Sequence, residues 1–541
     1  MNYNELRNGF PYLPKEQRKT ILLSSDDIRT PSGIGTMSRE IVLGTCHYYN
    51  WVQIGAAIKH PDVGKIVDLS GEVSKEVGIS DANVIIYPFD GYGDDNIVRM
   101  LMTNHKVSAF LHYTDPRFFY WLYQTEHEIR QEIPIFYYCI WDDCPPPMWN
   151  APFYASCNLL MGISKQSYSL HKHVLERVNC DVEEIIEYDA KINTDENDID
   201  IFNMGKIGKK NRDGRKYKYV ENSVLLSYIP HGINENYFYP IEEFNKTHEL
   251  KQLVEENGQK KESIMIKNDK EILQDLKEKF FGNDIPEFVV LYVNRNIRRK
   301  QPGDVVLAYK YFCDMLSKEE AKKVCMIMHT QPIDENGTNL IEVVNELCPN
   351  YRVVFSDMRL EPIFMNVIHN IGDVCINLSS NEGFGLGTCE SMMSGNVIVV
   401  NVTGGLQDQC GFKLRGNVLN QLDYSNIVSL HNEDKWKDNK DLTYGDWAFP
   451  IWPTSMSPQG SPWTPYIYDD RCKWQDAGQK IKDVYDLGKE EIKRRGLLAR
   501  QYVLDNEVGM SASEMSRRFM SNMDKGLSKF IKRKRFSIYQ S

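Results

Sequence analysis

The chain has 541 residues, of which 42% are hydrophobic, 26% charged and 11% aromatic, with a formal net charge of −11. That length exceeds what one core organises, and the composition excludes a disordered or fibrous chain. The acidic balance argues against a protein that coats nucleic acid over its whole surface, and twelve cysteines without a CxxC pair support neither disulfide staples nor a zinc site.

The N-terminal "MNYNELRNGFPYLPKEQRK" carries no apolar stretch of signal-peptide length, and no later run approaches the roughly 20 apolar residues that span a bilayer. With the cysteine usage, this predicts a soluble protein of a reducing, cytoplasmic compartment. Strand-length apolar runs follow: "TILLSS" at 20, "KIVDLS" at 65, "NVIIYP" at 83, "VSAFLH" at 107, "IPIFYYCIW" at 133, "NLLMGIS" at 158 and "SVLLSYIP" at 223. Several intervals between them are helix-length, "MSREIVLGTCHYYNWVQIGAAIKH" being the clearest. Strands alternating with helices imply α/β architecture with a parallel sheet.

Residues 181–222 break the pattern as a charged, aperiodic insertion, and residues 239–285 are polar and partly helical around "EILQDLKEKF"; neither stretch is expected to form a core. A second series comprises "EFVVLYVN" at 287, "KVCMIMH" at 323, "YRVVFS" at 351, "DVCINLS" at 373 and "NVIVVNV" at 396. The organisation expected is a first Rossmann-like unit over 1–235, an inter-domain segment over 236–285, a second Rossmann-like unit over 286–480, and C-terminal helices with a basic tail over 481–541. Two such units place a ligand cleft between their strand C-terminal ends, and the helical stretch near the C-terminus is expected to pack back across it.

The densest motif is "SSNEGFGLGTCESMMSG" at 379–395. Its glycines fall at a strand-to-helix turn, which exposes the amides of Phe384, Gly385, Leu386 and Gly387 at a helix N-terminus where the dipole favours an anion. Glu382 precedes that turn and Glu390 lies about one turn into the helix, so two carboxylates flank an anion site. Two hydroxyl-bearing groups on either side of a phosphate describe a nucleotide sugar, with Glu390 on a ribose and Glu382 on a hexose. The alternative is that Glu382 is a solvated loop residue and Glu390 merely complements the first helical turn.

"EGFGLGTCE" followed by "SMMSGNVIVVNVTGG" resembles the E-x7-E motif and following strand of glycosyltransferase family 4, retaining enzymes with two Rossmann-like domains facing a central cleft, the GT-B fold. "LYVNRNIRRK" resembles that family's strand followed by an Arg and a Lys five apart, here Arg295 and Lys300. "IPHGIN" at 229–234 is similar to its Pro-x-Gly-Val-Asp element, and "TPSGIGTMSREI" to its N-terminal Gly-rich loop and helix. The resemblance implies that Glu382, Arg295 and Lys300 form the catalytic group, the basic pair standing where other glycosyltransferases use a metal. It implies donor binding by Glu390, Gly33, Gly35, Phe384, Gly385, Leu386, Gly387, Thr388 and Met358, the last within "VVFSDMRLEP", where the nucleobase pocket begins. "FLHYTDP" and "YYCIWDDCPPPMW" fall where the family holds its acceptor, giving His112, Asp115 and Asp142 as acceptor-side residues. The Asp-x-Asp at Asp198 and Asp200 lies in the charged insertion and is assigned no metal.

The reading is therefore a retaining, metal-independent glycosyltransferase moving a sugar from a nucleoside diphosphate to the hydroxyl of a glycan, protein or other acceptor, with no cofactor beyond the donor. The basic stretches "KIGKKNRDGRKYK" and "KFIKRKRF" leave open an acceptor on modified DNA or on a lipid carrier at an anionic membrane surface. The rival readings are a nucleotide-sugar epimerase and a catalytically inactive sugar-nucleotide-binding protein.

Overall fold

Short runs of Val, Ile, Leu and Met bounded by turn residues form strands here because they are buried on both faces, between helices. In a computed structural model, residues 9–57, 62–185, 223–256, 259–418 and 439–534 are described. The first sheet contains β1 (Lys19–Asp26), β2 (Tyr49–Ala56), β3 (Val67–Asp68), β4 (Val84–Pro88), β5 (Val107–Tyr113), β6 (Ile135–Cys139), β7 (Leu159–Gly162), β8 (Asp181–Ile185) and β9 (Ser223–Tyr228). Their order is β3-β4-β2-β1-β5-β6-β7-β9-β8, parallel except for the short edge strand β3.

Strand β2 departs from the sequence expectation of one long helical interval. The helix stops at Thr45, and Tyr49–Ala56 pairs in register with β1, from Lys19↔Tyr49 to Asp26↔Ala56. Every residue of β2 is buried. A strand covered on both faces loses the alternation that would mark it, and its aromatic and β-branched residues then read as a continuation of the helix.

A hairpin of β10 (Thr247–Glu256) and β11 (Gln259–Asn268) leads into the helix Asp269–Phe281, which opens with a capping box between Asn268 and Glu271. This region was expected to lack a core. Instead, Tyr239, Ile241, Ile272, Leu276 and Phe281 pack with Val289, Leu291, Val367 and Ile368 under the second sheet. The helix carries its apolar residues at helical spacing among Lys and Glu, so a polar average conceals one buried stripe.

The second sheet comprises β12 (Phe288–Val293), β13 (Val324–His329), β14 (Val353–Ser356), β15 (Val374–Asn377) and β16 (Val397–Asn401). Beyond β16 come the short strands β17 (Lys413–Leu414), β18 (Asn417–Val418) and β19 (Leu442–Thr443), then β20 (Ala448–Ile451), β21 (Ser455–Ser461) and β22 (Thr464–Arg471). The parallel order is β14-β13-β12-β15-β16-β20. The two sheets form the two Rossmann-like layers of a GT-B architecture, with a cleft of about 860 Å³ lined from both sides.

The chain then ties both halves together. Helix Lys489–Leu504 packs on the helix Leu386–Met393, and helix Ala512–Lys529 returns to the first half against Gly33–Thr45. The Met510 carbonyl accepts from the amide of Ile233 at 2.9 Å, and the amide of Ala512 donates to the Ile233 carbonyl at 3.0 Å, so the "IPHGIN" segment is stitched to the C-terminal region. The basic tail is partly neutralised: Lys529 pairs with Glu183, and Arg533 with Glu126 at 2.8 Å. Asp198, Asp200 and "KIGKKNRDGRKYK" lie outside the described residues. Among the described residues, no helix is long and apolar enough to cross a membrane.

Gly496 marks how tightly helix Lys489–Leu504 seats on the motif helix, since a Cβ there would lie 1.8 Å from the carbonyl oxygen of Gly395. Gly496→Ala is predicted to destabilise the protein by about 1–3 kcal/mol through overpacking, read as a lowered urea midpoint; an unchanged midpoint would contradict this seating.

Candidate active site

The segment after β12 turns sharply. Asn296 is buried and its side-chain amide donates to the carbonyls of Gln331, Pro332 and Thr338 at 3.2, 3.2 and 2.7 Å, pinning the loop to the end of β13. A single 3-10 turn, Arg298–Lys300, follows, and Pro302 opens the next helix. The turn sends Lys300 inward, where its ammonium hydrogen-bonds the carboxylate of Glu382 at the end of β15. Both are buried, with 7% and 6% exposure. The hydroxyl of Ser379 donates to the same carboxylate at 3.1 Å.

Burial alone would raise the Glu382 carboxyl, but Lys300 and Arg299 hold it below the usual carboxylate range. Burial pushes Lys300 down to about 8 against the pull of Glu382, so the pair is ionised at neutral pH. Arg299 donates to the Asn381 carbonyl at 2.6 Å, with its guanidinium 4.0 Å from Glu382. Arg295 goes elsewhere: exposed, it pairs with Asp334 at 3.0 Å and lines the cleft. The Arg and Lys expected to act together thus occupy different surfaces, and Arg299 is the guanidinium beside Lys300. Residues five apart already face different sides of a regular helix, and here a loop and a 3-10 turn intervene.

The glycines of the motif do what the spacing predicts. Gly385 sits at φ 90° as the residue before helix Leu386–Met393, a conformation that disfavours any side chain. A Cβ on Gly387 would lie 2.7 Å from the carbonyl oxygen of Val293, so the helix start abuts the end of β12. The first amides of this helix lack intrahelical partners and lie beside the cleft, which Leu386 and Glu390 both line. Phe384 and Thr388 are buried, Thr388 accepting from Asn377 at 3.1 Å, so they support the turn without lining the cleft.

Glu390 faces the cleft beside His369, whose Nε2 is 3.5 Å away. His369 is buried and fixed on its other nitrogen by Ser391 at 3.1 Å. Nearby His329, pushed down to about 4 chiefly by burial, contacts the hydroxyl of Ser356 at 3.0 Å. Met358, 42% exposed, lines the same end of the cleft.

From the first half, the loop after β1 supplies Gly33, which faces Leu386 across the cleft with a Cβ position 3.2 Å from its side chain. Gly35 does not reach the cleft. Its amide donates to Ser32 at 2.9 Å, and a Cβ there would lie 2.3 Å from the Thr30 carbonyl, so this glycine serves the tightness of the loop.

The acceptor-side residues divide. Asp142 lies at the end of β6 in the electrostatic field of Arg299, Glu382 and Lys300; burial raises its carboxyl, opposed first by Arg299. Its neighbour Asp143 accepts from Asn381 and is held well above the usual range by burial and then by Asp142. His112 does not join them. It is fully buried, its Nε2 2.7 Å from the Tyr123 hydroxyl and its ring stacked on Tyr137 at 4.1 Å, and burial drives it well below its ordinary value. Asp115 caps the turn Pro116–Phe119 and pairs with Arg117, a local structural role.

Motif and spacing do not mark Arg299, Asp143, Asn381 or His231 as site residues. His231 lies between Tyr138 and Tyr113, its nitrogens 2.8 and 3.2 Å from their hydroxyls, and its ring is 5.2 Å from Phe384. Only its place in "IPHGIN" signalled it. Among the described residues, no group of three His, Cys, Asp or Glu side chains is arranged to hold a metal ion.

The chain matches no protein-family model, and no curated protein matches it. Solved structures do. Sucrose-phosphate synthase from Thermosynechococcus elongatus is similar with a TM-score of 0.53 at 12% identity, over 94% of this chain and 100% of that one. HepE from Anabaena in complex with UDP and glucose gives 0.52 at 11%, over 94% and 100%. The Escherichia coli trehalose-6-phosphate protein bound with UDP-2-fluoro glucose gives 0.53 at 11%, over 95% and 100%. At these identities the likeness establishes the GT-B fold.

The Lys300–Glu382 pair makes a measurable demand on stability. Lys300→Met leaves the Glu382 charge buried without its closest partner and is predicted to cost about 3 kcal/mol, of which Lys300→Met/Glu382→Gln recovers most. Urea denaturation of the three proteins checks this; a double variant as unstable as the single would contradict the pairing.

Proposed function

We propose that the protein is a retaining glycosyltransferase of the family 4 type, which moves a sugar from a nucleoside diphosphate to an acceptor hydroxyl without a metal ion. The observation that carries this reading is the placement of Glu390 in the open cleft and of the buried Lys300–Glu382 pair on either side of one helix N-terminus. A nucleoside diphosphate fits that arrangement with its base towards Met358 and its ribose hydroxyls on Glu390. Its diphosphate lies between Gly33 and the first amides of helix Leu386–Met393, and its sugar points towards Glu382. Solved proteins of the same fold carrying UDP with glucose, or UDP-2-fluoro glucose, support a UDP-sugar as the first donor to test.

In the proposed reaction the bond from the anomeric carbon to the diphosphate oxygen breaks and a bond to the acceptor oxygen forms on the same face. The acceptor proton passes to the departing diphosphate, which carries away the bonding pair. Charge accumulates on the leaving oxygens, and the helix amides, Lys300 and the neighbouring guanidinium of Arg299 stabilise it electrostatically in a site already arranged for it. Glu382 holds the Lys300 ammonium in place and offers a hydrogen-bond acceptor to the sugar. The acceptor hydroxyl enters from the side of Asp142.

Thermal shift and slow hydrolysis with UDP-, GDP- and ADP-sugars test the donor. One nucleotide sugar is expected to stabilise the protein and to be hydrolysed at the same rate with EDTA; no response to any would remove the reading. Glu390→Ala is expected to raise the donor KM about tenfold to a hundredfold, the equivalent of one hydrogen bond to a charged group. An unchanged KM would take Glu390 off the ribose.

The pH dependence has a defined sign. Protonated Lys300 is the active form, so kcat/KM is expected to fall as pH rises through the value of about 8 to which burial lowers it. Lys300→Arg, which stays charged, is expected to lose that alkaline limb; a limb unchanged in this variant would assign it to another group.

A further inference from the structure

The hairpin of β21 and β22 belongs to the second half of the chain but is anchored to both halves. At its base the amide of Asp470 donates to the Ser380 carbonyl at 3.1 Å. Thr403 donates to the Asp470 carboxylate at 2.8 Å and Asn401 to its carbonyl at 2.8 Å. These bonds fix the hairpin two residues from Glu382. On its other side the amide of Tyr468 donates to the carbonyl of Cys144 at 2.8 Å, on the segment that carries Asp142 and Asp143. The hairpin therefore walls the side of the site from which an acceptor enters.

Its aromatic rings continue those of the first half. Trp141, adjoining Asp142, packs edge-on to Trp149 with ring centres 5.6 Å apart, and Trp149 packs edge-on to Tyr466 at 4.5 Å. Trp463, in the turn between the two strands, is 67% exposed. Trp141 is buried behind Trp149, Trp149 and Tyr466 are half-buried, and Trp463 stands at the solvent end of the hairpin.

The charges along this path decide what it can hold. Between 455 and 471 the only Lys or Arg is Arg471, and it is engaged with Asp304 at 2.8 Å. Asp469 is half-buried at the hairpin base, Asp470 is buried against Thr403, and burial raises the carboxyls of Asp470, Asp142 and Asp143, so the hairpin presents aromatic rings with little charge of either sign. A polyphosphate backbone or an anionic lipid surface needs cations, and the hairpin's single cation is already paired. A neutral pyranose chain suits it, because ring C–H faces stack on flat aromatic surfaces and bring no charge that the hairpin would have to balance.

We infer that the hairpin Ser455–Arg471, with Trp149, is an acceptor subsite for a neutral oligosaccharide, with Trp463 its outermost contact. This rests on the glycosyltransferase reading and narrows its acceptor to one chemical class.

The test uses the full chain, its preferred nucleotide sugar, and a panel of reducing-end-labelled gluco-, galacto- and manno-oligosaccharides of two to five units, beside a 30-base-pair DNA duplex. Transfer to at least one oligosaccharide is expected and none to the duplex. Trp463→Ala is expected to raise the acceptor KM at least fivefold while leaving donor hydrolysis unchanged; Trp463→Phe, which keeps a stacking face, restores most of the affinity. Quenching of tryptophan fluorescence by the same oligosaccharides without donor reads the surface independently, so loss of the donor reading and loss of this inference are distinguishable. Transfer to the duplex, failure of every oligosaccharide to be glycosylated or to quench, or an acceptor KM indifferent to Trp463→Ala would each overturn the inference.

Discussion

A lysine and a glutamate sealed against each other at neighbouring strand ends constrain everything around them. Taking two charges out of water is costly, and mutual attraction offsets that cost only when geometry is good and the remaining hydrogen-bonding capacity is used. Here Ser379 donates to the carboxylate, Arg299 stands 4.0 Å away, and the loop carrying Lys300 is pinned through Asn296. The pair commits the ends of β12 and β15 to one relative position, from which the motif helix starts. In the proposed reaction negative charge departs beside this pair, and a site arranged before the charge appears stabilises it best.

The same economy governs how the halves meet. Asp408 accepts from the amide of Lys165 and the hydroxyl of Tyr228, both at 2.9 Å, and Gln166 reaches the amide of Gly404 at 3.2 Å. Phe384 and Leu406 share one apolar cluster with Ile163 and Ile229. These contacts press the Glu382 turn against the end of β6, which is how Asp142 and Asp143 come into its field. The C-terminal helix and the hairpin of β21 and β22 close the arrangement at two further points, so both sides of the site are referenced to one framework.

Much of this was legible in the sequence, and the limits are physical. The Gly and Glu spacing at 382–390 encodes local backbone geometry, which survives being read in isolation; so do short apolar runs between turn signals. Strand β2 was lost because complete burial erases the alternation that distinguishes a strand from a helix continuing past Thr45. Arg295 follows from the resemblance alone, and that Arg299 stands beside Lys300 depends on a 3-10 turn that no spacing rule reveals. His112 looked available because burial by Tyr123 and Tyr137 is a non-local property. The hairpin is hidden in the sequence because "SMSPQGSPWTPYIYDDR" carries prolines and a glycine where a strand pattern would show alternation.

The most direct test of the account is the crystal structure of the protein with UDP. The account predicts ribose hydroxyls on Glu390 and diphosphate oxygens within hydrogen-bonding distance of the Leu386 and Gly387 amides, facing Gly33, with the Lys300–Glu382 pair on the side from which the phosphate departs. A nucleotide bound elsewhere, or a cleft left empty at saturating UDP, would contradict it.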